Sequence, residues 1–208
     1  MTIDLINHKG TQCKEKDILC QEGYCSECYI PRKIKIAVDV DGVITAYPFK
    51  DLVKQYFGVD IEAKDLFAYD LADVLGISSK EINTMFQEQV FGKPKFNDNA
   101  IKILRFWRQR GIEIIIYTNR VKYMTDIELV TWLLDNGIPF SGIDSNGYNE
   151  YDIHIDDSPA KLAATNSKLK LLYSQPWNER CLDVNKQLIR VKDWNEVNEY
   201  VEKYMSAL

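Results

Sequence analysis

No stretch of this 208-residue chain holds enough consecutive apolar residues to span a bilayer, so a membrane-spanning helix is not expected. The opening residues, MTIDLINHKG, are polar and unlike a signal peptide, which points to a cytoplasmic protein. Basic charge is in short supply as well. The net charge is −5 and no basic stripe is available to track a phosphate backbone, so stable binding to nucleic acid or acidic membranes is not expected. Internal repeats and low-complexity linkers are missing too, which excludes repeat arrays. What remains is a chain with 46% hydrophobic and 12% aromatic residues, enough for a packed core. Its length suits one domain, or one domain carrying a large insertion.

Four of the five cysteines, Cys13, Cys20, Cys25 and Cys28, fall close together with the spacing C-x6-C-x4-C-x2-C. In a reducing compartment such clustering points to metal more than to disulfides, and four thiolates would complete a tetrahedral Zn²⁺ site. The other reading is a tail with free thiols. Cys181 stands far from the cluster and reads as an ordinary residue.

Further on, PRKIKIAVDV reads as a buried strand, and IEIIIYTNR, YDIHIDDSP, KLKLLYS and QLIRV as four more. Helical spacing marks PFKDLVKQYFGVD, SSKEINTMFQEQVFG, NAIKILRFWRQRG, MTDIELVTWLLDNG and WNEVNEYVEKYM. Ser78 and Glu81 have capping-box spacing, and glycines close three of these helices. Alternating strands and helices predict an α/β fold, a Rossmann-like parallel sheet with helices on both faces. Residues 45–96 break the alternation and look purely helical, so they read as a cap inserted after the first strand. The expected parts are a cysteine-bearing segment 1–32, a core made of 33–44 and 97–208, and the cap.

Three predicted strands end in polar residues: Asp39 and Asp41, then Thr118, Asn119 and Arg120, then Asp156 and Asp157. In open α/β sheets, ligands bind beyond the carboxyl ends of the strands. If these strands are neighbours, four carboxylates and a hydroxyl converge, and so much buried negative charge needs a partner. A hard, oxygen-loving cation, Mg²⁺, is the natural one. Asp39 and Asp41 would face opposite ways on an extended strand, so the chain must bend at Gly42 to use both. One carboxylate can then attack phosphorus and the other can carry a proton.

The segments VDVDGVI, IIIYTNR and HIDDSP resemble motifs I, II and IV of the haloacid dehalogenase superfamily of phosphotransferases. The resemblance covers about residues 33 to 204 and implies a C1-type helical cap over the site. It implies that Asp39 forms an aspartyl-phosphate, that Asp41 is general acid and base, and that Thr118 holds a phosphoryl oxygen. With Asp39 and Asp41, Asp156 and Asp157 would make up the Mg²⁺ site, and Asn119 and Arg120 would lie near the phosphate. The tail LLYSQPWNERCLDVNKQLIRVKDWNEV is similar to that of the 5′(3′)-deoxyribonucleotidase-like group, which implies a nucleotide as the small-molecule phosphomonoester. A sugar phosphate is the alternative substrate. A slow phosphatase whose zinc-held N-terminus docks on a partner is a third reading.

One departure from the family stands out. The lysine of motif III has no counterpart, since residues 135–157 contain neither lysine nor arginine. Lys161, Lys122 and Arg120 are the candidates to replace it, and Lys161 leads because a helix beginning at Pro159 could return it to the strand ends. Among the cap aromatics Phe49, Phe67, Tyr69, Phe86 and Phe91, Phe49 lies nearest motif I and is the candidate to stack on a base. His154 reads as a core histidine in preference to a catalytic one.

Overall fold

A computed structural model describes residues 33–46, 49–61, 75–85, 94–122, 124–145, 150–179, 181 and 187–208. The chain divides into two units, Met1–Lys33 and Ile34–Leu208, and the second contains every strand and helix described below. The four clustered cysteines lie outside the described residues.

Six parallel strands form the central sheet: β1 (Lys35–Val38), β4 (Glu113–Tyr117), β5 (Gly142–Asp144), β6 (Tyr151–Asp156), β7 (Ser167–Tyr173) and β8 (Leu188–Val191). Their order is β5-β4-β1-β6-β7-β8, so the chain leaves β1 towards one edge and later returns to build the other. All six residues of β6 are buried, which requires cover on both faces of the sheet. This is why the strands read as unbroken apolar runs rather than as alternating ones.

Helix α3 (Ala100–Gln109) leads into β4, and α4 (Asp126–Asp135) follows it. Thr125 and Glu128 cap α4 reciprocally, each side chain bonding the other's backbone N–H. The short α5 (Pro159–Ala164) joins β6 to β7, and α6 (Trp194–Ser206) closes the chain. Trp107 of α3 and Trp194 of α6 meet with ring centres 5.7 Å apart, and the Trp107 indole donates to Asn198 Oδ1. Both rings are fully buried and belong to a core that includes Ile36, Val38, Ile114, Ile116, Ile153 and Ile155.

The inserted segment is not purely helical. It opens with β2 (Thr45–Ala46) and ends with β3 (Lys95–Phe96), which pair antiparallel. Two residues of strand are too few to show a period of two, so the sequence pattern carries no signal for them. Between them lie α1 (Phe49–Phe57) and α2 (Ser79–Met85), and the capping box of Ser78 and Glu81 is formed. Val53, Ile61, Ile82 and Met85 make a small second core there. The three-residue β5 is likewise absent from the sequence pattern, and it adds an edge strand before YDIHIDDSP. Among the described residues, no helix is long and apolar enough to cross a membrane.

Candidate active site

The register of the parallel strands sets the site. Val38 pairs with Ile116 on one side and with Ile155 on the other, so β1, β4 and β6 end almost level. Asp39 follows β1 and donates its N–H to Ile155 O, with Thr118 at the end of β4 and Asp156 at the end of β6. The strand order reverses at β1, the place where α/β sheets open a crevice.

After Asp39 the chain turns sharply. The N–H groups of Ile44 and Thr45 both bond Val40 O, and Gly42 sits at φ 82°. A Cβ on Gly42 would fall 2.6 Å from Asp157 Oδ2, so conformation and space both require glycine there. The turn expected at this position is formed, and it separates the two aspartates of the first strand.

Asp39, Asp156 and Asp157 converge, with one oxygen of each lying within 4.8 Å of the others, all three buried. Lys161, from the first turn of α5, places Nζ 3.2 Å from Asp39 Oδ2 and 3.5 Å from Asp156 Oδ2. Asp156 Oδ1 accepts the Ser158 N–H at 2.7 Å, which starts α5, while Oδ2 is buried and accepts no hydrogen bond. Burial and then the charge of Asp156 push the Asp39 carboxyl well above the usual carboxylate range, against the pull of Lys161; Asp157 and Asp41 add to the rise. Asp157 is pushed up to about 7 by burial and by Asp156, against Lys161 and a hydrogen bond from Trp177. Among the described residues, these three buried carboxylates meet the ammonium of Lys161, so negative charge is in excess there. A buried oxygen without a donor adds to the same conclusion, and the all-oxygen set fits a hard divalent cation.

The Asp41 carboxylate stands outside that cluster. It receives Arg120 Nε at 3.1 and 3.0 Å and Arg120 Nη2 at 2.6 Å. The sequence suggests Asp41 as a metal ligand and Arg120 as a phosphate ligand. In the structure the side chains of these two residues are paired with each other. Thr118 is buried, and its Oγ1 accepts the Arg120 N–H, while Asn119 is exposed. Phe49 begins α1, but its side chain is outside the described residues, as are Phe67, Tyr69, Phe86 and Phe91. His154 is fully buried, with Nδ1 2.8 Å from Thr165 Oγ1 and Nε2 3.5 Å from Asp156 Oδ2.

Sequence reasoning missed the group that supports Asp157. The Trp177 indole N–H donates to Asp157 Oδ2 at 2.9 Å, and Asn178 Nδ2 donates to Asp157 O at 2.8 Å. Arg190 in turn donates to Asn178 Oδ1 and O, and Gln175 donates to Gly42 O. Trp177, Asn178 and Arg190 all lie in the tail LLYSQPWNERCLDVNKQLIRVKDWNEV, and in the fold they form this support.

Among solved structures, a haloacid dehalogenase-like hydrolase from Streptococcus pneumoniae superposes with a TM-score of 0.55 at 15% identity, covering 81% of this chain and 98% of that one. A predicted phosphatase from Clostridium acetobutylicum gives 0.55 at 12% identity, covering 83% and 100%. The fold is that of the haloacid dehalogenase-like hydrolases. A predicted phosphoglycolate phosphatase from Haemophilus somnus shares this haloacid dehalogenase-like fold, with a TM-score of 0.52 at 12% identity over 83% of this chain and 100% of that one. The sequence matches no family model and no curated protein.

Proposed function

We propose that the protein is a Mg²⁺-dependent phosphomonoester hydrolase that works through an aspartyl-phosphate on Asp39. The observation that carries this reading is the convergence of Asp39, Asp156 and Asp157 around a volume that Lys161 enters at 3.2 Å from the nucleophile candidate. A divalent cation held by these carboxylates supplies, when bound, the charge that keeps them ionised and draws electron density from phosphoryl oxygens. Asp39 attacks phosphorus in line, its Oδ forming the new P–O bond as the ester oxygen leaves with a proton from Asp41. Thr118 Oγ1 and Lys161 Nζ steady the phosphoryl oxygens, and Lys161 takes the part of the missing motif III lysine. Water then attacks the phosphoryl group, with Asp41 taking its proton and Asp39 regenerated.

A small phosphomonoester is the substrate, and two classes compete. The tail resemblance favours a nucleoside monophosphate. However, QPWN and Arg190 are accounted for by their bonds to Asp157, Gly42 and one another, so that resemblance carries less weight for a base. Likeness in fold to a predicted phosphoglycolate phosphatase favours a small phosphorylated acid.

The test is phosphate release from nucleoside monophosphates, sugar phosphates and phosphoglycolate, with Mg²⁺ and with EDTA, against Asp39→Asn. Turnover that needs Mg²⁺ and disappears in the variant supports the reading, and the preferred substrate decides between the classes. Turnover no higher than that of Asp39→Asn on any of them sinks it.

A further inference from the structure

Arg120 is one of the largest fully buried side chains of the molecule, at 1% exposure, and lies in a 3-10 turn (Asn119–Lys122) directly after β4. A guanidinium cannot shed its charge, so it enters a protein interior only with well-placed partners. One face of it lies over the Trp132 ring, its central carbon 3.9 Å from the ring centre. Its edge meets Asp41, and Nε and Nη2 together reach both carboxylate oxygens. This is the planar fork that arginine forms with carboxylates and lysine cannot. Trp132 sits on α4, Arg120 in the turn after β4, and Asp41 in the turn after β1, so three separate segments meet around one ion pair.

We infer that Arg120 is a positioning residue for Asp41 and not a ligand of the phosphoryl group. This rests on the hydrolase reading above, in which Asp41 handles the protons of both half-reactions. Asp41 lies in a tight turn, and beyond the fork its Oδ1 meets Thr45 Oγ1 at a long 3.5 Å. The bidentate contact therefore does most to fix the orientation of this carboxylate. Trp132 fixes the guanidinium in turn, so that α4 is part of the support. A carboxylate misplaced by an ångström loses roughly 10² in rate, even when the substrate still binds.

The experiment measures kcat and the inhibition constant of inorganic phosphate for wild type, Arg120→Met, Asp41→Asn and the double variant. Measurements use saturating Mg²⁺ and the best substrate of the panel. The expected result is a fall in kcat of roughly 10² for Arg120→Met, with phosphate inhibition unchanged within about twofold. Adding Arg120→Met to Asp41→Asn should then cost nothing further, because the residue it positions is already lost. A tenfold or greater rise in the phosphate inhibition constant, or a defect that multiplies that of Asp41→Asn, makes Arg120 a phosphate ligand and overturns the inference. Should Arg120→Met fail to fold, Arg120→Lys keeps the buried charge while losing the fork, and the same two comparisons apply. A wild type without turnover removes the hydrolase reading and this inference with it, whereas an active wild type with the second pattern removes only the inference.

Discussion

Strand β6 carries a buried aspartate near each end, and the two differ in almost every respect. Asp152, near its start, accepts the Lys35 N–H at 3.0 Å, Lys168 Nζ at 3.0 Å and the Tyr204 hydroxyl at 3.2 Å. Asp156, at its end, spends one oxygen on Ser158 and leaves the other with ion-pair distances of 3.5 Å, crowded by Asp39 and Asp157. Both lie on the same side of the strand, since they are four residues apart. A buried carboxylate met by donors that fold with it belongs to the scaffold. One left in a cluster of its own sign is built for something that arrives later.

Neutralising each aspartate in turn separates the two roles. Asp156→Asn should lower turnover on the order of 10³-fold and raise the Tm of the metal-free protein, because it relieves surplus charge. Asp152→Asn should do the reverse: turnover kept, and stability lowered by about 1–3 kcal/mol in urea unfolding. If both variants lower stability alike, the two ends of β6 are not different in kind.

Lys161→Met removes the cation from the same cluster. Turnover should fall roughly 10²- to 10³-fold, the usual cost of one preorganised positive group. Metal-free Tm should fall as well, since the cluster loses its ammonium. Full activity in this variant would leave the motif III function to another residue.

A smaller effect is expected from pH. Asp39 and Asp157 both titrate higher in the folded chain than in the unfolded one, Asp157 at about 7. The folded state therefore holds more protons near neutrality, and stability falls as pH rises wherever that is so. These groups disfavour folding least below the ordinary carboxylate range, and that advantage is lost as pH climbs through about 7. In EDTA the unfolding free energy should fall between about pH 5 and 8, by an amount on the order of a few kcal/mol, and saturating Mg²⁺ should flatten the slope. A metal-free stability that rises over this window contradicts the charge surplus.

Much of the fold was legible because parallel strands covered on both faces are written as long apolar runs, and their polar ends stand out. That is how Asp39, Thr118 and Asp156 can be placed at one sheet edge from the sequence alone. The short strands β2, β3 and β5 were not legible, since two or three residues carry no periodicity. The reach of Lys161 could be read because Pro159 fixes where α5 starts. The pairing of Arg120 with Asp41 could not, because 79 positions separate them and only the pairing of β4 with β1 brings the two turns together. Trp177 and Asn178 were visible as residues, but their bonds to Asp157 exist only after β7 has paired with β6.

The β2–β3 pair has a consequence for how such a chain can be altered. Thr45 faces Phe96 and Ala46 faces Lys95, so the inserted segment leaves and re-enters the core through two adjacent strands. Asn97 secures this junction by donating to Val43 O and Thr45 O. A segment whose ends already touch can be lengthened, shortened or exchanged at little entropic cost to the rest. Residues 47–94 are thus expected to tolerate a change of length better than a loop with free ends, because the β2–β3 stem already holds their two ends side by side.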